Sequence, residues 1–160
     1  MIIVRPIWNG VTAHFPARRS EWALASMMFT TGVILLHPGI TFQPGVRLFQ
    51  TLQAIASENA WGWSCLLFGA ARLCALIVNG TFADTKYSQY SPHVRGGFAF
   101  LSMFYWATIS IGLLHAATIN AIPFGLGCYP FLLVLDMTNV YQAFLDAGRA
   151  DRSARPDVVQ

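Results

Sequence analysis

The feature that most constrains this chain is a set of four apolar stretches with almost no charge, separated by more polar connections of differing length. They run over about residues 22–37, 60–78, 97–118 and 122–144. Across the 160 residues, apolar and aromatic types make up 55% and charged types only 11%, where an ordinary soluble domain carries about 25% charge. Too few charges are present to cover the surface of a water-soluble fold of this length. Lipid is the solvent that accepts such a composition. The expected fold class is therefore all-α, a polytopic bundle of four transmembrane helices forming one domain over residues 1–160.

Each stretch has its own start and stop signals. The first is opened by Ser20-Glu21 as a cap and closed by His37-Pro38. Its sixteen residues rise about 24 Å, short of a ~30 Å hydrocarbon core. The second begins at Trp61 and Trp63 and stops at Asn79-Gly80; the third passes through Phe98, Phe100, Phe104, Tyr105 and Trp106. In the fourth, Pro123 suits a helix start and Pro130 is expected to kink or break the helix. Between the first two spans, Leu48, Leu52 and Ile55 recur at helical spacing and predict a short interfacial helix. Asn120-Ala121 makes the last two spans an antiparallel hairpin. Residues 148–160 are charged and read as a flexible cytoplasmic tail.

With four spans the N-terminus, the 80–96 loop and the C-terminal tail share one side. That side holds Arg5, Arg18, Arg19, Lys86, Arg95, Arg149, Arg152 and Arg155, the other side only Arg47. Positive charge stays cytoplasmic, so both termini are expected inside a multi-pass inner-membrane protein. The same placement explains the net charge of +3 without a nucleic-acid partner, because the basic residues sit in flanks and loops. The long polar leader before Trp22 does not fit a cleavable signal peptide. Asn79-Gly80-Thr81 matches a glycosylation acceptor, but it abuts a helix end on the inner side and reads as a terminator. Cys65, Cys74 and Cys128 lie in apolar runs without metal spacing and read as packing residues.

Arg72 and Asp136 are the charges that lipid makes expensive, about 2.5–3.5 kcal/mol each at mid-bilayer. Arg72 follows Trp61 by eleven residues and Asp136 follows Ile122 by fourteen, in two helices that run the same way. At 1.5 Å per residue their depths differ by only ~5 Å, which suits an interhelical ion pair in the inner half of the membrane. Two other arrangements fit the same spacing. Arg72 snorkels to the headgroups while Asp136 bonds Thr138, Asn139 or Tyr141, or both residues serve ion or proton passage.

Thr108, Gly112 and Ala116 form a small-xxx-small stripe that lets a helix pack closely, within the chain or against a second copy. His37 and His115 end the first and third spans at matching outer levels, the placement two haem ligands would need, although lone interfacial histidines are the commoner case. The expectation is no cofactor and no metal. No nucleophile–base motif, zinc-protease motif or phosphate-cradling glycine loop occurs, so no catalytic residue is assigned.

The strings Arg72-Leu-Cys-Ala-Leu-Ile-Val-Asn-Gly80, Ser91-Pro-His-Val-Arg95, Leu133-Val-Leu-Asp-Met-Thr-Asn139 and Ala143-Phe-Leu-Asp-Ala147 together resemble small uncharacterised membrane proteins of tailed phages and prophages of proteobacteria. The likeness spans roughly residues 60–148. It implies a bacterial inner membrane and a late-phage or host-takeover role, with no catalytic residues to carry over. The leading expectation is a non-enzymatic membrane protein that assembles in the bilayer, a holin-like pore being one version. Two alternatives stand beside it. One is an accessory subunit that binds a membrane or virion protein through the 80–96 loop and the tail; the other is a small transporter or channel using Arg72 and Asp136.

Overall fold

Among the described residues, apolar periodicity resolves into five α-helices: α1 (Arg19–Leu35), α2 (Arg47–Gln53), α3 (Glu58–Thr81), α4 (Ser91–Ala116) and α5 (Tyr129–Ala154). Single 3-10 turns, Pro16–Arg18 and Phe124–Gly127, precede α1 and α5. The computed structural model describes residues 15–39, 41–81, 90–118 and 122–154, and among these no β-strand occurs. Asp84, Lys86 and Tyr87 of the inner loop, the Asn120-Ala121 turn, Arg5 and Arg155 lie outside the described residues.

The helices pack as two close pairs. α1 lies along α3 and α4 along α5, while contacts from α3 to α4 and from α1 to α5 are much sparser. Glycine makes the first pair possible. A Cβ on Gly32 of α1 would stand 2.4 Å from the Leu66 nitrogen, and one on Gly69 of α3 would stand 2.4 Å from the Phe29 nitrogen. Backbone therefore meets backbone at both points, the approach that small residues permit between membrane helices. On α3 the buried positions Gly62, Cys65, Gly69, Arg72 and Leu76 recur at alternating steps of three and four, the spacing of a coiled-coil seam. Leu24 and Met28 of α1, Cys65 of α3 and Trp106 of α4 form the central apolar cluster.

α2 closes the opposite end of the bundle. Leu52 is buried with Leu35 and Phe42, and Leu48 and Phe49 pack on them. The Phe42 and Phe49 rings stack at 5.1 Å, and the Trp61 indole N–H donates to the Leu52 carbonyl at 3.0 Å. Glu58, in the first turn of α3, accepts from the Thr41 N–H at 2.8 Å and holds the connection down. The short helix expected between the first two apolar runs is thus present, and Leu48 and Leu52 point inward while Ile55 remains 62% exposed.

Several boundaries differ from the sequence expectation. The third span was expected from Gly97, but α4 starts at Ser91, because Pro92 in the first turn has the φ a helix needs and no donor to waste. Arg95 therefore belongs to a helix rather than to the 80–96 loop. Pro130 neither kinks nor breaks a helix: α5 begins at Tyr129, so the proline falls in the first turn where it is tolerated. α3 continues through Asn79-Gly80 to Thr81. The segment after Gly148, expected as a flexible tail, is helical to Ala154. An i,i+3 contact from Arg149 to Asp146 at 3.5 Å and a bond from Arg152 Nε to the Gly148 carbonyl at 3.0 Å support those turns.

Among the described residues two helical segments, Glu58–Val78 and Ser91–Ala116, are long and apolar enough to cross a membrane, each with mean hydropathy 1.6. α1 has 17 residues, and α5 joins an apolar first half to a charged second half, so neither has the length and hydropathy of a full span.

Candidate functional site

Arg72 occupies a seam position on α3, and on α5 the buried residues Asp136, Asn139, Ala143 and Ala147 share one face by their spacing. The seam of α3 packs on α1 and this face of α5 packs on α4, and the long Arg72 side chain reaches across the bundle to Asp136. Arg72 Nη2 lies 2.6 Å from Asp136 Oδ1 and Nη1 lies 3.2 Å from Oδ2, a two-pronged contact. Both side chains are sealed, at 4% and 0% exposure. Arg72 Nη1 also donates to Ser102 Oγ at 2.7 Å, and the Ser102 hydroxyl in turn donates to Asp136 Oδ2. The Trp106 indole N–H reaches Oδ2 at 2.9 Å, and Asn139 Nδ2 reaches Oδ1 at 3.3 Å. Ser20 on α1 completes the chain of bonds by donating to Asn139 Oδ1 at 2.7 Å.

Four residues thus donate to one carboxylate, which fills its acceptor positions. A buried ion pair survives only with such supporting bonds, because desolvating the charges otherwise outweighs their attraction. Arg72 does not extend to the surface, so the snorkelling arrangement is excluded here. Of the local partners considered for Asp136, Asn139 does bond it; Thr138 instead donates to the Leu135 carbonyl at 2.7 Å, and Tyr141 is exposed.

A second cluster lies toward the end of the bundle that carries both described chain ends. Arg95 of α4 grips Glu21 of α1 through Nε at 3.0 Å and Nη2 at 2.5 Å. Its Nη1 reaches Asp146 of α5 at 3.3 Å. Arg95 and Glu21 are buried, whereas Asp146 is partly open. Beside them, burial pushes the Arg18 guanidinium below its ordinary pKa and nearby Arg95 adds to the shift, against the opposing pull of Glu21 and Asp146.

This second cluster is not among the sequence expectations, where Glu21 reads as a cap and Arg95 as a loop residue. Carrying the third span back to Pro92 exposes the signal. Arg95, Ser102 and Trp106 then fall on one helical face, and Ala99 joins them there. The glycines of α1 and α3 were also missed, although Gly62 and Gly69 stand one heptad apart.

The remaining candidates are placed as follows. His37 and His115 are both exposed rather than turned into the bundle. Gly112 of the predicted stripe is buried, but its neighbour is Leu48 of the interfacial helix, whose Cδ1 would stand 2.8 Å from an added Cβ. Thr108 donates to the Phe104 carbonyl at 2.8 Å and Ala116 is half-buried. The stripe thus receives α2 and not another long helix. Cys65 is buried, while Cys74 and Cys128 are free and exposed, so only the first packs in the core. Among the described residues no cluster of three or more His, Cys, Asp or Glu side chains has the geometry to hold a metal ion.

Fold and site together define an all-helical bundle with charges bonded inside and aromatic and aliphatic side chains outside. No family model, curated protein or solved structure matches the chain.

Proposed function

We propose that this chain is a non-enzymatic, four-span protein of the bacterial inner membrane whose role is to assemble within the bilayer. Both termini lie in the cytoplasm, and the chain is of phage origin as its resemblance implies. The observation that carries the membrane reading is inverted polarity. Glu21, Arg72, Arg95, Ser102, Asp136 and Asn139 are buried, whereas Leu67, Leu114, Phe131 and Phe144 are each more than 60% exposed. A helix in the core of a soluble protein is mostly covered, but only 33% and 39% of the apolar windows of α3 and α4 are buried. Exposed apolar surface on this scale marks contact with lipid or a partner. In this reading α1 and the first half of α5 complete the four spans, the deficit of α1 being met by its flanking residues and local thinning.

Assembly is favoured over transport by how Arg72 and Asp136 are held. The carboxylate is closed by the donors Arg72, Ser102, Trp106 and Asn139. A second reading, docking of a membrane or virion protein, is favoured by the exposed charged end of α5, which extends the inner face beyond the bundle. Membrane fractionation with alkaline extraction and reporter fusions at both ends test the placement. The expected result is extraction resistance with both reporters cytoplasmic; a chain that stays in solution without detergent overturns it. On induction, abrupt lysis assigns the pore version and a co-purifying protein assigns the docking version.

A further inference from the structure

The two helix pairs are joined by sparser packing than that which holds each pair. Within α1–α3 the contact is backbone against backbone at Gly32 and Gly69, with close apolar packing along the length. α4–α5 is equally extensive, with a Cβ on Gly96 reaching to 3.3 Å from Ala143. Between the pairs the long helices touch far less: Trp106 meets Leu24, Met28 and Cys65 there, the rings of Trp61 and Phe68 meet Tyr105 and Phe98, α2 packs on α4, and several buried ionic and polar bonds cross as well. Arg72 of α3 reaches Ser102 of α4 and Asp136 of α5; Ser20 of α1 reaches Asn139 of α5; Glu21 of α1 receives Arg95 of α4. Arg72 and Glu21 have these partners on the far side, whereas Asp136 keeps Ser102, Trp106 and Asn139 and Arg95 keeps Asp146 within α4/α5, so the α1/α3 face is the one left unsatisfied when the pairs part.

We infer that the bundle is two bodies, α1/α3 and α4/α5, joined along a polar seam that opens when its ties are lost while each pair stays intact. Dispersion between closely packed backbones persists whatever the charge state of the seam. The ties do not: a buried guanidinium left without its carboxylate draws the faces toward any polar surroundings. Opening the seam turns Arg72 and Glu21 on one side, and Arg95, Asp136 and Asn139 on the other, outward from the same chain. This is a conformational device that stands whether lipid or water surrounds the bundle.

Spin-label distances on the purified full-length chain test it, with Cys65→Ala, Cys74→Ser and Cys128→Ser as background. Exposed positions Ser26 and Leu67 report within the first pair, Leu101 and Met137 within the second, and Leu67 with Met137 across the seam. Replacing Glu21→Gln and Asp136→Asn should lengthen and broaden the cross-seam distance by several ångström while both within-pair distances stay sharp. An unchanged cross-seam distance, or all three broadening together, overturns the two-body reading. Hydrogen exchange on the unmodified chain gives a second test that needs no variant to fold. α1/α3 amides and α4/α5 amides should open as two cooperative units with different denaturant dependence, and a single common unit overturns the inference.

Discussion

Removing Asp136 should cost more than removing Arg72, although they are partners in one ion pair. In Asp136→Leu the guanidinium of Arg72 remains buried with Ser102 Oγ, 2.7 Å from Nη1, as its one other acceptor. In Arg72→Leu the carboxylate keeps Ser102, Trp106 and Asn139 as donors. Breaking a buried pair from one side costs about 3–5 kcal/mol, and hydrogen bonds to a charged group return about 1.5–3 kcal/mol each at most. Asp136→Leu therefore falls near the top of that range, about 4–5 kcal/mol, and Arg72→Leu lower, about 2–3 kcal/mol. The double variant removes both charges and strands only neutral donors, costing about 2–4 kcal/mol rather than the sum. Against a total stability of order 5–15 kcal/mol, the single Asp136 change is severe. Denaturing-detergent titration of the full-length chain, followed by tryptophan fluorescence, measures all four corners of the cycle. Equal costs for the two single changes, or a double variant equal to their sum, would refute a pair held as described.

Other outcomes follow from the same contacts. Gly32→Ala and Gly69→Ala should each lower stability by about 1–3 kcal/mol through overpacking, while Gly97→Ala, with nothing within 4 Å of the new methyl, should be neutral or slightly stabilising; thermal melts in detergent rank them. Trp106→Phe leaves Asp136 without its indole donor and should cost about 1–3 kcal/mol, whereas Trp63→Phe, at a position 55% exposed, should stay within about 0.5 kcal/mol. Arg95→Lys should not rescue Arg95→Ala, because a single ammonium cannot hold both Glu21 oxygens and Asp146 together. Equal stability of the lysine variant and the parent chain in the same titration would count against the forked contact. A combined reversal, Arg72→Asp with Asp136→Arg, should recover part of the accumulation that each reversal loses alone, as read by immunoblot of the membrane fraction.

Helices, their approximate limits and the identity of the two costly charges were all legible in the residues. Apolar runs of this length have few folded alternatives, and a charge inside such a run stands out against its neighbours whatever the fold. Similar depth made Arg72 and Asp136 candidates for one another because rise per residue is a property of any α-helix. Helix ends were less legible. Pro92 and Pro130 look alike in sequence, and only the first turn each one occupies reveals that both are starting residues rather than breaks.

What the chain does not write into local sequence is which faces meet. Gly69 and Gly112 are both glycines in apolar helices, yet one admits a neighbouring backbone and the other receives the tip of Leu48 from the interfacial helix. Glu21 and Arg95 lie 74 positions apart, and each has a sufficient local explanation until α1 and α4 are set side by side. Composition and periodicity act through nearest neighbours and so determined the helices and their apolar exterior. Pairing of α1 with α3, of α4 with α5, and the bonded seam between them depend on contacts remote in the chain, and those the tertiary structure alone decided.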